Sequence, residues 1–138
     1  MLAHEQSLFD MVAIDVIGVG AGVYDLIKAK GIPCLDVNVG RQSTQPTKFQ
    51  RLRDELWWSL RLWFEDGKAT ISQTIPQKHR DAFIADIQDI HFDFVPSGAR
   101  KIEDKDHMKA RLKFSPDLGD AVCLTFASGG FFNGCYFD

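Results

Sequence analysis

The sequence predicts an α/β fold, and three observations support this prediction. Residues 11–17 form a short, almost continuous apolar segment rich in β-branched side chains, which is typical of a strand buried on both faces. Residues 23–30 have the pattern of a helix, and residues 33–39 have that of a second strand. Because two strands joined through a helix normally lie parallel with a right-handed crossover, this part of the chain is expected to form a βαβ unit.

The next segments predict a surface loop and a long helix. The first helix is expected to end at Gly31, since glycine tolerates the left-handed conformation that follows a helix. Residues 40–48 are polar and contain a proline, which indicates a loop. Residues 49–66 form the longest helical pattern and end before Gly67. Their apolar side chains cover two faces, so this helix is either deeply buried or covered by a partner.

The second half of the chain is predicted to contain further helices and strands. They are a short strand over 69–75, an amphipathic helix over 76–90, a hairpin of strands 91–95 and 100–103, a short helix over 106–112, and a last helix from Ser115 to about residue 127. The last helix begins with Ser-Pro-Asp, a combination typical of helix starts. Residues 128–138, which are rich in glycine and aromatic residues, predict an irregular tail.

Length and composition exclude several classes of protein. The 138 residues contain 45% hydrophobic and 25% charged residues without a break in composition, which predicts a single folded domain over residues 1–138. The net charge of −3 argues against a strongly basic nucleic-acid binder, although it allows local basic patches. No apolar run reaches the roughly 18 residues of a membrane span. No secretion signal precedes the first strand, and the three cysteines lack zinc-site spacing, so a cytoplasmic protein with reduced thiols is predicted.

Three aspartates are candidates for chemistry. Asp15 lies in an apolar strand, where an unpaired carboxylate is costly, so it either bonds nearby backbone amides or faces a ligand crevice. Asp117 and Asp120 have the spacing that places both on one face of the last helix, together with Ala121 and Leu124. The alternative for Asp117 is that it complements the helix dipole. Acids from a strand and a helix that meet over one pocket would suit two divalent metals and phosphodiester chemistry.

The glycine-rich segment after the first strand offers a competing hypothesis. Gly18, Gly20 and Gly22 would allow a phosphate group to bind at the helix start, with Asp36 as the acid that binds a ribose. The dinucleotide pattern requires a glycine where this chain has Val23. The alternative is that the glycines allow a tight turn and close packing of the helix on the strand.

Two groups of cations are candidates for contacts with a phosphate backbone. They comprise Arg41, Lys48, Arg51 and Arg53 in the first group, and Lys105, Lys109 and Arg111 in the second. Cations beside carboxylates would suit DNA binding, because phosphate contacts position a protein on the duplex. The alternative is a solvated face of mixed charge.

The chain resembles the C-terminal nuclease domain of the large terminase subunit of tailed bacteriophages in three segments. They are residues 14–25 (IDVIGVGAGVYD), 53–58 (RDELWW) and above all 102–127 (IEDKDHMKARLKFSPDLGDAVCLTFA). The resemblance extends over most of residues 12–127. The SPDxxDA motif with KDxMKxR upstream is its most specific part.

The resemblance implies an RNase H-like mixed sheet flanked by helices and a metal-dependent endonuclease that cuts double-stranded viral DNA during genome packaging. It implies Mg²⁺ or Mn²⁺ in a two-metal site held by Asp15 and Asp117, with Asp120 as an adjacent candidate, and hydrolysis by water. The partners it implies are DNA, a packaging ATPase region, the small terminase subunit and the portal, in the cytoplasm of a bacterial host.

The sequence also departs from the family's pattern. The family's first carboxylate lies on a strand upstream of the Asp15 strand, and no residue before Met11 matches it. We therefore expect the first strand to be lacking, and self-association through an exposed sheet edge. The alternative function is a non-catalytic DNA-packaging or DNA-binding protein of the same fold. Gly119 replaces a small side chain within SPDxxDA, which is expected to loosen the last helix.

Overall fold

A computed structural model describes residues 11–128 of the chain. Within these residues, five α-helices, two small sheets and a terminal 3₁₀ helix form the mixed α/β fold that the sequence predicts. Parallel and antiparallel strand pairs both occur, but they form separate two-stranded sheets rather than one continuous mixed sheet. The predictions about a missing first strand and about the tail fall mainly on residues 1–10 and 129–138, which lie outside the described part.

The first three elements are the predicted βαβ unit. Strand β1 (Val12–Asp15) leads through helix α1 (Gly20–Ala29) to strand β2 (Cys34–Val37), and the two strands pair in parallel. Helix α1 ends where the sequence predicts, because Gly31 has φ +72° and its N–H donates to the Lys28 carbonyl over 2.9 Å. This unit brings the Asp15 end of β1 to the carboxyl edge of the sheet.

Helix α2 (Leu52–Glu65) is the centre of the fold. Leu52, Leu56, Trp57 and Leu60 are buried in the main apolar core. The second apolar face predicted for this helix is present as well, because Trp58 stacks edge-on against Phe92 with ring centroids 5.0 Å apart. The helix therefore contacts other described parts of the chain through both of its apolar faces.

The second half of the chain surrounds α2. Helix α3 (Gln77–Ile87) precedes an antiparallel hairpin of β3 (Phe92–Phe94) and β4 (Arg100–Ile102). Helix α4 (Lys105–Leu112), helix α5 (Asp117–Leu124) and a 3₁₀ helix (Thr125–Ser128) follow. The predicted strand over residues 69–75 is wrong, since this segment has no strand pairing and forms a loop. Its short alternating pattern has no neighbouring strand to pair with among the described residues.

Buried Asp54 joins the two halves of the fold. This carboxylate, only 2% exposed, accepts hydrogen bonds from the backbone N–H of Arg51 at 2.8 Å and of Ile102 at 2.9 Å. Burial raises the pKa of Asp54, although the two backbone hydrogen bonds act in the opposite direction. The start of α2 is thereby fixed to strand β4.

None of the helices within residues 11–128 is both long and apolar enough to cross a bilayer.

Candidate functional site

The three aspartates predicted from the sequence line one cavity. Asp15 comes from the end of β1, and Asp117 and Asp120 come from the first turn of α5, where the helix packs near β1. The cavity has a volume of about 380 Å³. Residues that are distant in sequence therefore converge on one pocket, which sequence periodicity alone does not establish.

Asp15 makes the local contact that the sequence allowed as an alternative. Its Oδ1 accepts a hydrogen bond from the backbone N–H of Ile17 over 3.1 Å, in the turn that follows β1. The residue is half-buried and also lines the cavity. The turn contact and a position facing the pocket are thus both present.

Asp120 has hydrogen-bond partners on both carboxylate oxygens. The indole N–H of Trp57 donates to Oδ1 over 3.1 Å, and the ammonium of Lys105 donates to Oδ2 over 2.7 Å. The side chain is 27% exposed, compared with 75% for Asp117. Of the two acids on α5, Asp120 is therefore the one held in a defined orientation.

Lys105 joins the two acids of α5. Its Nζ lies 2.7 Å from Asp120 Oδ2 and 3.4 Å from Asp117 Oδ1. Burial alone would lower the pKa of Lys105, but hydrogen bonds and charge interactions with both aspartates outweigh it and raise the pKa. The pKa of Asp117 is lowered, first by the hydroxyl of Ser115, which donates to Oδ1 over 2.6 Å, and then by Lys105. The Lys105 ammonium thus lies within contact distance of both side chains.

Gly119 and Trp57 explain how α5 is held so close to α2. A Cβ on Gly119 would lie 2.6 Å from Cη2 of Trp57, a distance that the packed side chains do not allow. The expectation that this glycine loosens the helix therefore misses its role, because glycine is what allows the contact. The helical pattern of residues 49–66 did not reveal the hydrogen bond from the Trp57 indole to Asp120. A buried tryptophan needs a partner for its N–H, and this was the available signal.

The predicted basic residues divide into two sets. Arg51, Arg53 and Lys105 line the cavity. The guanidinium of Arg53 donates to the carbonyl of Glu103 over 3.0 Å, so this side chain is fixed at the cavity wall. Two positive charges besides Lys105 are thereby placed beside the carboxylates.

The other predicted cations lie outside the cavity lining. Arg41, Lys48 and Lys109 are exposed. Arg111 is engaged within the fold, since its guanidinium forms ion pairs with Asp89 and Glu103. The contribution of these four side chains to DNA binding stays a prediction.

The donor set of the cavity suits a hard divalent cation. Its acids are carboxylates, the ligands that Mg²⁺ and Mn²⁺ prefer, and the Lys105 ammonium already shows that Asp117 and Asp120 together accommodate a positive charge. Among residues 11–128, no three His, Cys, Asp or Glu side chains are grouped closely enough to hold a metal ion. The described side chains therefore fit such a cation chemically, but they do not form a closed ligand cage.

The glycine-rich turn has a packing explanation. A Cβ on Gly20 would lie 1.7 Å from the backbone oxygen of Asp15, so only glycine allows α1 to start this close to β1. Asp36, proposed as a ribose ligand, is exposed on β2. The geometry supports the packing alternative stated for these glycines.

The fold is similar to that of solved viral nuclease domains. One is the nuclease domain of the large terminase subunit gp2 of bacterial virus Sf6, with a TM-score of 0.63 and 20% identity, over 89% of this chain and 67% of that one. A lysine-to-alanine variant of that domain with manganese gives a TM-score of 0.64 at 21% identity, over 89% and 68% of the two chains. The same lysine-to-alanine variant with calcium gives a TM-score of 0.65 at 21% identity, over 89% of this chain and 67% of that one.

These likenesses confirm the fold predicted from the sequence, that of the RNase H-like terminase nuclease domain. The sequence itself matches no protein-family model and no curated protein. At this level of identity the likeness shows the fold alone.

Proposed function

We propose that the chain is a metal-dependent endonuclease domain of a phage or prophage DNA-packaging terminase. The observation that carries this proposal is the convergence of Asp15, Asp117 and Asp120 on one cavity that Arg51 and Arg53 also line. Carboxylates bind divalent cations, and guanidinium groups bind phosphate. The neighbours of known structure are terminase nuclease domains, two of them with manganese or calcium, and this similarity supports the same proposal.

The residues of the cavity would have distinct tasks. Asp15, Asp117 and Asp120 would hold Mg²⁺ or Mn²⁺, and the chemistry that two such ions supply when bound is activation of water and stabilisation of a leaving oxygen. Arg51 and Arg53 would orient the phosphodiester of double-stranded DNA. Lys105 would neutralise the two acids of α5 until a cation or a phosphate replaces its contacts. No covalent protein intermediate is required.

As a terminase domain, the chain would act within a larger DNA-packaging complex. The partners would be double-stranded DNA, the terminase ATPase region, the small terminase subunit and the portal, in the cytoplasm of an infected or lysogenic bacterial cell. Exposed Arg41, Lys48 and Lys109 would extend the basic surface beyond the cavity.

Plasmid nicking tests the proposal. Supercoiled DNA is incubated with the chain and Mn²⁺ or Mg²⁺, and the open-circular product is quantified on agarose gels. We expect nicking that requires the metal and that Asp15→Asn and Asp117→Asn each abolish. Asp81→Asn is the matched control, because Asp81 is an exposed acid on α3 that does not line the cavity, and its activity should equal that of the wild type. Nicking that survives both cavity variants would refute the assignment of these acids.

A second candidate function is a DNA-binding protein of the same fold without catalysis. It is favoured by one observation, the lack of a closed group of three metal-ligating side chains among residues 11–128. This function predicts a mobility shift of double-stranded DNA that weakens with salt, without nicking in any metal. Nicking that requires Mn²⁺ and is lost in Asp117→Asn excludes it.

A further inference from the structure

Asp86 is a buried acid whose contacts lead to α5. It belongs to α3, is 6% exposed and lies outside the cavity lining. Its Oδ2 accepts hydrogen bonds from the backbone N–H of Leu118 at 2.8 Å and of Gly119 at 3.0 Å. Both donors lie in the first turn of α5, between Asp117 and Asp120.

These two hydrogen bonds replace a cap that the helix lacks. The first N–H groups of a helix have no partner within it, and a side chain before the helix usually accepts from them. Here the residue in that position is Pro116, which provides no side-chain acceptor. The carboxylate of Asp86 satisfies the orphan N–H groups from another helix and complements the positive end of the helix dipole.

Trp57, which lies on helix α2, contacts the same first turn of α5. It is 4% exposed on α2, and its indole donates to Asp120 over 3.1 Å. The close approach of its ring to Gly119 leaves no room for a side chain at that position. The first turn of α5 is thus fixed through its backbone by Asp86 and through the Asp120 carboxylate by Trp57.

We propose that Asp86 and Trp57 are positioning residues, which set the orientation of α5 so that Asp120 and Asp117 face the cavity. This inference rests on the proposed function, since it concerns the acids assigned to cation binding there. Asp86 lies outside the cavity and is not expected to contact DNA or a cation, whereas Trp57 lines the cavity and is expected to act through its hydrogen bond to Asp120. Both act through the backbone and the carboxylate of α5.

Asp86→Asn and Asp86→Ala separate positioning from charge. The asparagine keeps a carbonyl oxygen that accepts from both N–H groups, whereas alanine removes the acceptor. The control is Asp81→Ala, which removes an exposed acid from the same helix. Two quantities are measured: Mn²⁺ affinity by calorimetry, and ¹⁵N–¹H NMR signals of the Trp57 indole and of the Leu118 and Gly119 amides. The indole signal is assigned from its loss in Trp57→Phe.

We expect Asp86→Ala to weaken Mn²⁺ binding by about tenfold, as loss of a partner that orients a metal ligand typically does. It should also shift the Trp57 indole signal. Asp86→Asn should restore the affinity to within about threefold of the wild type, and Asp81→Ala should change neither quantity. An unchanged indole signal and unchanged affinity in Asp86→Ala would overturn the proposal.

Two further outcomes also decide it. If Asp86→Ala does not fold, Asp86→Asn carries the test, because a neutral acceptor should move the Leu118 and Gly119 amide signals upfield, and unchanged signals overturn the proposal. If the wild type binds no Mn²⁺, the proposed function fails. The indole signal in Asp86→Ala then still tests whether Asp86 positions Asp120.

Discussion

Substitution of Gly119 tests the packing that brings α5 to α2. In Gly119→Ala the new Cβ would lie 2.6 Å from Cη2 of Trp57 and 3.4 Å from Cβ of Asp86. Forcing an additional carbon into a packed core costs about 1–3 kcal/mol. The higher helix propensity of alanine returns up to about 1 kcal/mol, and less in a first turn. We therefore expect a net loss of about 1–2 kcal/mol in the free energy of unfolding.

Gly22→Ala is the matched control for helix propensity. Gly22 lies within α1, and nothing approaches within 4 Å of the position that its Cβ would take. The same chemical change should stabilise the protein there by up to about 1 kcal/mol. Urea unfolding followed by circular dichroism gives both values, and the two substitutions are expected to have opposite signs.

A double-mutant cycle tests whether Cη2 of Trp57 is the atom that makes Gly119→Ala destabilising. Phenylalanine lacks the Cη2 atom of tryptophan, so in a Trp57→Phe background Gly119→Ala should lose most of its cost. The expected coupling energy between the two positions is about 1 kcal/mol, within the range found for residues in contact. The reasoning is refuted if Gly119→Ala stabilises the wild type as much as Gly22→Ala does.

Three further predictions concern stability and reactivity. Asp54→Ala should lower the free energy of unfolding by about 2–4 kcal/mol in urea titrations, because it leaves the buried N–H of Ile102 and the half-buried N–H of Arg51 without acceptors. An unaffected midpoint would contradict the account of this junction. Glu55 should add stability that is present above its ordinary pKa of 4.5 and lost as the pH falls through its folded pKa. Hydrogen bonds from the 43–45 loop outweigh burial and lower that pKa. Below about pH 4.5, the melting temperature of Glu55→Gln should therefore depend less on pH than that of the wild type does. The same pH dependence in both proteins would contradict this contribution of Glu55. Burial raises the pKa of the Cys123 thiol well above its ordinary value. In a chain without the other two cysteines, Ellman's reagent should therefore label Cys123 only upon unfolding. Fast labelling of the folded protein would disprove its burial.

Local pattern was sufficient to predict most of the elements. The βαβ unit follows from an apolar run, a helix and a glycine stop, although only Ile14 of β1 is buried, and Gly31 terminates α1 as expected. The strand predicted over residues 69–75 failed, because a short alternating pattern is typical of a strand only where a neighbour is available to pair with it. Pairing partners are a property of the tertiary fold.

In the candidate site, too, features set by local spacing could be predicted and long-range contacts could not. Asp117 and Asp120 share a helix face by spacing, which the sequence shows, and Asp15 was identified as a carboxylate in an apolar strand. The partners of Trp57 and Asp86 on α5 could not be predicted, since these hydrogen bonds span 63 residues in one case and more than 30 in the other. Long-range contacts of this kind leave no periodic signal in a single sequence.

The affinity of the cavity for Mn²⁺ tests the central claim most directly. Calorimetric titration compares the wild type with Asp120→Asn, with Lys105→Ala and with Lys78→Ala, the last being an exposed lysine on α3. The account predicts weaker binding in Asp120→Asn, and tighter binding in Lys105→Ala because the ammonium that competes for both carboxylates is gone. Lys78→Ala should bind as the wild type does. An affinity that neither cavity substitution changes would contradict the claim that these carboxylates form a divalent-cation site.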